Sequence, residues 1–147
     1  MSKKAILVVG LGFGDEGKGT IVDYLTRKYK AEAVIRYNGG AQAGHNVVLD
    51  DGRQHVFSQF GSGTFCPGVK THLSRFMVMN PLSIRREGVH LGALEVEWPF
   101  ARMTIDEDAL VTTPFQIAVN RLLEISRREN RRGSCGMGVG QTIADAQ

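Results

Sequence analysis

The feature that most constrains this chain is a glycine-rich segment near its start, between a short apolar run and a helical pattern. Residues 5–9 are apolar, glycines follow at positions 10, 12, 14, 17 and 19, and Ile21, Val22 and Leu25 then fall on one side of a helix. A strand that leads through a glycine turn into a helix points backbone N–H groups and a helix N-terminus at a phosphate. The pattern therefore predicts a buried strand over residues 5–9, a phosphate-binding loop and a helix that runs to about residue 29.

The loop has the spacing of a nucleotide-binding P-loop, G-x-x-x-x-G-K, from Gly12 to Lys18. That motif continues with a Ser or Thr whose hydroxyl binds Mg²⁺, but Gly19 stands there. Asp15 can supply the missing oxygen ligand, because Mg²⁺ is usually held by one or two carboxylates, phosphate oxygens and water. Asp15 and Glu16 would both repel a phosphate unless a metal lay between. The alternative interpretation is a glycine-rich turn that binds no ligand.

The rest of the chain predicts an α/β fold with a mainly parallel sheet flanked by helices and a β-hairpin at its margin. Strands are expected at residues 33–37, 75–79 and 102–105, and the hairpin at residues 46–49 and 55–58 around an Asp-Asp-Gly turn. Helices are expected to begin at Asn80-Pro81 and Thr113-Pro114 and to reach about residues 93 and 130. On the second helix, Phe115, Val119, Leu122 and either Ile125 or Ser126 form an apolar stripe that is predicted to be core.

A second loop, residues 39–45, follows the predicted strand at 33–37. Ligands in open α/β sheets bind beyond the carboxyl ends of the strands, so this loop should lie beside the P-loop. We expect Asp15 and His45 to face one cavity there. His45 can donate to a phosphoryl oxygen, and Gln42 offers an amide to a base or a phosphate.

Length and composition narrow the classes of protein. The 147 residues are enough for a single domain with a core. A net charge of +3 is too small to argue for a nucleic-acid partner. The late arginines at 127, 128, 131 and 132 suit either a solvated helix end or a phosphate-binding patch. Cys66 and Cys135 have no metal-type spacing and are interpreted as reduced thiols. The first apolar run is too short for a signal peptide, and no segment is long enough to span a membrane.

Two motifs resemble signatures of the adenylosuccinate synthetase family: Gly-Asp-Glu-Gly-Lys-Gly at residues 14–19 and Arg-Tyr-Asn-Gly-Gly-Ala-Gln-Ala-Gly-His at residues 36–45. Residues 133–140 are similar in glycine spacing to a later family loop. The resemblance covers nearly the whole chain, which corresponds to roughly the N-terminal third of such enzymes. It implies a cytoplasmic, homodimeric, GTP-dependent and Mg²⁺-dependent ligase of AMP biosynthesis. Such an enzyme joins IMP, or a related purine nucleotide, to L-aspartate and releases GDP and phosphate.

The resemblance also assigns roles by matching position. It makes Asp15 the base that removes the purine N1 proton, His45 the acid in phosphoryl transfer, and Lys18 the charge that neutralises phosphate. It makes Asp15 and the Gly44 carbonyl the metal ligands. The implied GTP-binding residues are Gly14, Asp15, Glu16, Gly17, Lys18, Gly19, Thr20, Gly44, His45 and Asn46. The implied purine-nucleotide residues are Asp15, Glu16, Gly17, Lys18, Gln42, Ala43, Gly44, His45 and Cys135.

The chain departs from the family pattern in the later loop. Cys135 replaces a threonine that holds the nucleotide phosphate, and Met137 replaces an arginine. Met137 is either a packing residue or a sign of changed specificity, and the departures leave room for another purine nucleotide. The family's guanine-recognition motif, its aspartate-binding loop and the arginine lent by a neighbouring subunit lie beyond the matched region. The rival hypothesis is therefore a truncated or degenerate P-loop module that binds a nucleotide without independent activity.

Overall fold

The computed structural model describes residues 4–147 of the chain. Within these residues the helices are α1 (Lys18–Tyr29), α2 (Pro81–Ala93), α3 (Pro114–Ser126) and α4 (Val139–Asp145). The strands are β1 (Ala33–Arg36), β2 (Gly39–Gly40), β3 (His45–Val48), β4 (Gln54–Phe57), β5 (Lys70–Leu73), β6 (Met77–Met79), β7 (Met103–Ile105) and β8 (Leu110–Val111). Short 3₁₀ turns lie at Phe100–Arg102 and Arg128–Asn130.

The strands form two parallel sheets with the same order, β1-β5-β7 and β2-β6-β8, and each strand of the second sheet follows its counterpart in the first by a few residues. Main-chain bonds continue the ladder beyond the first sheet, from the Ser74 N–H to the Arg36 carbonyl and from the Asp106 N–H to the Leu73 carbonyl. The loops after β1 and β2 therefore leave the sheets at their carboxyl edges. This arrangement, with helices alongside and a separate hairpin, confirms the predicted fold class.

The hairpin of β3 and β4 is antiparallel and pairs His45 with Phe57. The Leu49 N–H donates to the Arg53 carbonyl at 2.8 Å, and Gly52 adopts a φ of 87°, which the turn can accept because glycine lacks a Cβ. The strands begin one residue earlier than the sequence predicts. The hairpin itself is confirmed.

The starts of α2 and α3 follow from their caps. The Asn80 side chain accepts the Ser83 N–H at 3.0 Å, and Pro81 occupies the first helical position. Thr113 accepts the Phe115 N–H at 3.2 Å, and Gln116 completes a capping box. These bonds satisfy N–H groups that the first turn of a helix leaves without partners, which is why both starts could be predicted.

The core lies where the hairpin, the parallel strands and α2 meet. Its buried members are Val47, Phe57, Phe60, Phe65, Leu73, Met77, Ile84, Leu91 and Val96. Helix α1 packs against β3, while α4 packs against α3, β6 and β8. The hairpin thus links the core to the start of α1.

The predicted strand over residues 5–9 is wrong. The described residues before α1 contain no strand, and Leu7 and Val9 are 81% and 69% exposed. Strand β1 instead pairs in parallel with β5, which the sequence analysis missed. An apolar run becomes a strand only when neighbouring strands complete its hydrogen bonds, and nothing in residues 4–147 does so for this run.

The prediction that the apolar stripe of α3 is core is also wrong. Phe115 is 80% exposed, Leu122 is 65% exposed and Ile125 is 60% exposed. The helix ends at Ser126, earlier than expected. Periodicity identifies the face of a helix that suits burial, but it does not supply a partner. Among the described helices, none is long and apolar enough to cross a bilayer.

Candidate functional site

The glycine-rich loop leads into α1 through three residues with a positive φ. Gly14 and Gly17 have φ values of 108° and 70°, and Asp15 has a φ of 51°. A positive φ is uncommon for a residue with a side chain, although Asp tolerates it better than most. The Asp15 side chain is exposed in the loop, immediately before the N-terminus of α1.

The Glu16 side chain links the beginning of the loop to its end. One carboxylate oxygen accepts the Gly12 N–H at 2.6 Å, and the other accepts from the Lys18 ammonium at 2.9 Å. The Lys18 ammonium and then the Gly12 N–H lower the pKa of Glu16 below its usual value. The P-loop lysine and a loop amide are therefore already bound to an anion, and that anion belongs to the protein.

The start of α1 lies directly on the start of the hairpin. A Cβ placed on Gly19 would lie 2.9 Å from the His45 carbonyl carbon and 2.9 Å from the Asn46 carbonyl oxygen. The Thr20 hydroxyl donates to the same Asn46 carbonyl at 3.3 Å. The two motif segments that the sequence predicts to be neighbours therefore touch, and glycine at position 19 makes the contact possible.

His45 is half-buried at this contact. Burial, followed by the positive charges of Arg36 and Lys18, lowers its pKa, while the negative charge of Glu87 opposes that shift. His45 therefore favours its neutral form. A neutral imidazole still donates one N–H, and an anion bound nearby would raise its pKa.

The later glycine segment meets the second loop through α4. A Cβ on Gly40 would lie 2.8 Å from a Val139 methyl group and 2.8 Å from the Gln42 amide oxygen. Gln42 and Ala43 lie in a turn that the Ala43 N–H closes onto the Gly40 carbonyl at 3.1 Å. The second loop thus contacts the P-loop helix at one end and α4 at the other.

The structure does not bring every predicted residue into this contact. Cys135 is exposed and its thiol is free, in a segment held to α3 by the Gly133 N–H to Glu124 bond at 2.7 Å. Met137 is half-buried. The placement of Asp15 and His45 around one cavity stays a prediction, as do the roles of Gly44 and Cys135.

The Asp15 carboxylate and the Gly44 carbonyl are oxygen groups of the kind that Mg²⁺ binds. Within residues 4–147 no group of three or more His, Cys, Asp or Glu side chains could hold an ion. Mg²⁺ does not require such a group, because it commonly keeps several waters and takes its other ligands from one or two carboxylates and the phosphates of a substrate. An exposed Asp15 next to a phosphate loop, with the Gly44 carbonyl on the neighbouring loop, suits that coordination.

A buried carboxylate behind the hairpin escaped the sequence analysis. The side chain of Glu87, on α2, is only 5% exposed. It accepts the Ser58, Gln59 and Phe60 N–H groups at 3.0, 2.8 and 3.2 Å and the Ser58 hydroxyl at 2.8 Å. Although burial alone raises the pKa of a carboxyl, bonds from His55, the Gln59 N–H and Ser58 hold the pKa of Glu87 below its usual value.

Two histidines extend this network towards the surface. His55 on β4 lies 3.4 Å from Glu87 through Nε2 and 2.9 Å from His90 through Nδ1. Glu87 therefore fixes the segment that follows Phe57, and Phe57 pairs with His45. No sequence signal distinguishes Glu87 from a surface glutamate of α2.

Comparisons with known proteins agree on one family. The family model described as adenylosuccinate synthetase matches residues 7–147. An adenylosuccinate synthetase from Saccharopolyspora erythraea is 34% identical over 141 residues, which are 96% of this chain and 32% of that protein. One from Streptococcus sanguinis is 36% identical over 141 residues, with the same coverage. The chain thus spans about a third of the length of the curated relatives it matches.

Solved structures show the same likeness. A fully ligated adenylosuccinate synthetase from Plasmodium falciparum matches with a TM-score of 0.78 and 25% identity, over 90% of this chain and 31% of that one. A succinoaminodeoxyadenylate synthetase from cyanophage S-2L matches with a TM-score of 0.60 and 18% identity, over 90% of this chain and 40% of that one. The second likeness concerns the fold alone.

Proposed function

The chain belongs to the adenylosuccinate synthetase family, and from that premise we propose that it carries the phosphate-binding and proton-removing part of a GTP-dependent ligase. The ligase joins IMP, or a related purine nucleotide, to L-aspartate. The observation that supports this proposal best is the direct packing of Gly19 on His45 and Asn46, because it unites the two motifs that the chemistry requires.

The proposed reaction has two steps. Removal of the N1 proton makes the purine O6 oxygen nucleophilic, and that oxygen takes the γ-phosphoryl group of GTP, which leaves GDP. The aspartate amine then attacks the purine carbon that bears O6. A C–N bond forms there, and the bond between that carbon and the phosphorylated oxygen breaks, so that phosphate leaves. The products are adenylosuccinate, GDP and phosphate. Mg²⁺, when bound, would supply positive charge to the phosphates of GTP.

The residues of this chain have distinct tasks in that scheme. Asp15 takes the purine proton, and its carboxylate and the Gly44 carbonyl would be the groups of this chain that hold Mg²⁺. Lys18 and the N–H groups at the start of α1 bind phosphate oxygens, as such helix starts do in other nucleotide-binding proteins. His45 donates an N–H to the transferring phosphoryl group, whose negative charge would raise the lowered pKa of His45.

The remaining assignments are those of the family motifs. GTP contacts are proposed for residues 14–20 and for Gly44 to Asn46, and purine-nucleotide contacts for Gln42, Ala43 and Cys135. Because Cys135 is exposed and a thiol is a weak donor, its contact should contribute least. Homodimerisation, aspartate binding and base recognition belong to the proposal as well, since the curated relatives are about three times as long as the matched region.

The test is GTP binding and adenylosuccinate formation by the chain and by three variants. Lys18→Ala should weaken GTP binding by about tenfold to a hundredfold, the range for a lost bond to a charged group. Asp15→Asn should affect binding less and lower turnover by at least about a hundredfold, because a neutral amide is too weak a base to take the proton. Lys70→Ala, at an exposed lysine on β5, is the matched control and should bind GTP normally.

Three outcomes separate the hypotheses. GTP binding that depends on Lys18, together with turnover that depends on Asp15, supports the ligase. GTP binding without turnover supports the nucleotide-binding module. Binding that Lys18→Ala leaves unchanged rejects the P-loop as the nucleotide site and both hypotheses with it.

A further inference from the structure

The glycine-rich loop binds an anion that belongs to the protein itself, the Glu16 side chain. Its two oxygens are shared between the Gly12 N–H at 2.6 Å and the Lys18 ammonium at 2.9 Å. Lys18 is one of the donors that the proposed function gives to a phosphate, and Gly12 lies in the same glycine-rich loop. A carboxylate and a phosphoryl group present pairs of oxygens with similar geometry, so one can take the place of the other.

The backbone of the loop is shaped around this side chain. A Cβ on Gly10 would overlap a Glu16 oxygen and lie 2.7 Å from the Lys18 nitrogen, and a Cβ on Gly12 would lie 3.2 Å from the other oxygen. The carboxylate therefore rests against bare main chain, as a phosphate does in a P-loop. A side chain at position 10 would meet the Glu16 carboxylate and the Lys18 ammonium, so glycine there lets this ion pair lie against the main chain.

We propose that Glu16 is an internal competitor: its carboxylate lies where a nucleotide phosphate would bind in the loop and must leave before that phosphate can bind. The proposal rests on the proposed function, because it takes Lys18 as a phosphate donor. It divides the contribution of Glu16 in two. The backbone N–H of Glu16 remains available to a phosphate, while its side chain opposes binding.

This competition selects among anions. A metal-free phosphate must break the pair between Glu16 and Lys18 and then lie beside the displaced carboxylate, which repels it. A phosphate that arrives with Mg²⁺ brings positive charge for that carboxylate. Glu16 therefore weakens the binding of free phosphate and pyrophosphate more than that of a magnesium-bound triphosphate.

The experiment measures pyrophosphate affinity by calorimetry at low ionic strength, with a chelator present to remove divalent metal. Glu16→Ala and Glu16→Gln should both bind pyrophosphate at least about threefold more tightly than the parent, the scale expected for releasing one exposed ion pair. Glu97→Gln removes the same charge from an exposed position after α2 and controls for the change in net charge. Circular dichroism confirms that each variant is folded, and Glu16→Gln keeps the size of the side chain if Glu16→Ala alters the loop.

The outcomes are distinguishable. Tighter binding by the Glu16 variants, beyond any gain in Glu97→Gln, supports the internal competitor. Equal or weaker binding by both Glu16 variants overturns the proposal, because the Glu16 side chain would then have no effect on pyrophosphate binding or would favour it. Lys18→Ala is measured in parallel: if it binds pyrophosphate and GTP as well as the parent, the proposed function fails, whereas a loss in Lys18→Ala with no gain in the Glu16 variants refutes the competitor alone.

Discussion

Glu87 offers the sharpest test of how the site is supported, because one buried carboxylate holds three consecutive backbone N–H groups. Glu87→Ala removes the acceptor of the Ser58, Gln59 and Phe60 N–H groups and of the Ser58 hydroxyl. Ser58 is half-buried, and Gln59 and Phe60 are fully buried. Water therefore cannot easily replace the lost bonds.

The magnitude follows from those bonds. A hydrogen bond to a charged group contributes about 1.5–3 kcal/mol, and an unsatisfied buried group costs about 1–3 kcal/mol. The cost of burying the charge offsets part of the sum, and removing one partner of a buried charged network typically costs about 3–5 kcal/mol. We expect Glu87→Ala to lower the free energy of unfolding by about that amount, out of about 5–15 kcal/mol for a domain.

The assay is urea unfolding followed by far-ultraviolet circular dichroism. Glu87→Gln keeps the shape and one acceptor oxygen, so it should lose about 2–3 kcal/mol and remain measurable if Glu87→Ala does not fold. Glu97→Ala, at an exposed site, should change stability by less than about 0.5 kcal/mol. A loss below about 1 kcal/mol in Glu87→Ala would refute the reasoning, because the carboxylate would then not hold the segment after β4.

The same network predicts how the stability of the protein falls at acid pH. The pKa of Glu87 is lowered in the folded chain, so its contribution to stability is complete above the unfolded pKa of about 4.3 and is lost as the pH falls through the folded value. The stability of Glu87→Gln should therefore fall less steeply than that of the parent below about pH 4.5. Parallel pH profiles for the two proteins would contradict this.

Two further predictions concern His45 and Arg102. Burial and the charges of Arg36 and Lys18 lower the pKa of His45, so its part of the stability is complete above the unfolded pKa of about 6.5 and is lost as the pH falls through the lower folded value. His45→Asn should lose less stability than the parent between about pH 7 and pH 5 in urea titrations, and an equal loss would contradict the assignment. Arg102 donates to the Cys66, Val69 and Thr64 carbonyls at 2.9, 3.1 and 3.2 Å, so Arg102→Met should lower the free energy of unfolding by about 2–4 kcal/mol in the same assay, and a loss under about 1 kcal/mol would count against those bonds.

Local chemistry explains which parts of the fold could be predicted. The starts of α2 and α3 depend on Asn80-Pro81 and Thr113-Pro114, and the hairpin turn depends on Gly52, so neighbouring residues contain the whole signal. Strand β5 reads Lys-Thr-His-Leu, with Thr71 and Leu73 buried, and its alternation is too short and too polar to stand out. Residues 5–9 and the α3 stripe failed for the opposite reason. Their apolar character is local, but burial needs a partner that no pattern in the chain specifies.

The same distinction applies to the residues of the site. Lys18, Gly19 and His45 could be found because their motifs have fixed spacing. The two motifs were expected to meet because each was predicted to follow a strand of one sheet, but residues 5–9 form no strand, and the contact instead comes from α1 packing on β3. Glu87 could not be found, because its importance comes from carbonyl and amide groups brought to it by the tertiary fold. The bond between Glu16 and Gly12 was also missed, since the sequence shows only that both lie in the loop.

The contact at Gly19 gives a physical reason for the most unusual feature of the P-loop. In the common motif this position carries Ser or Thr, whose hydroxyl binds Mg²⁺. Here any Cβ would lie 2.9 Å from main-chain atoms of His45 and Asn46, and main chain cannot rotate away as a side chain can. A hydroxyl at position 19 is therefore incompatible with a hairpin packed on α1. The packing that brings His45 beside the loop thus also excludes the usual hydroxyl ligand at position 19. Asp15 is then the carboxylate in the loop with an exposed oxygen that could bind a metal.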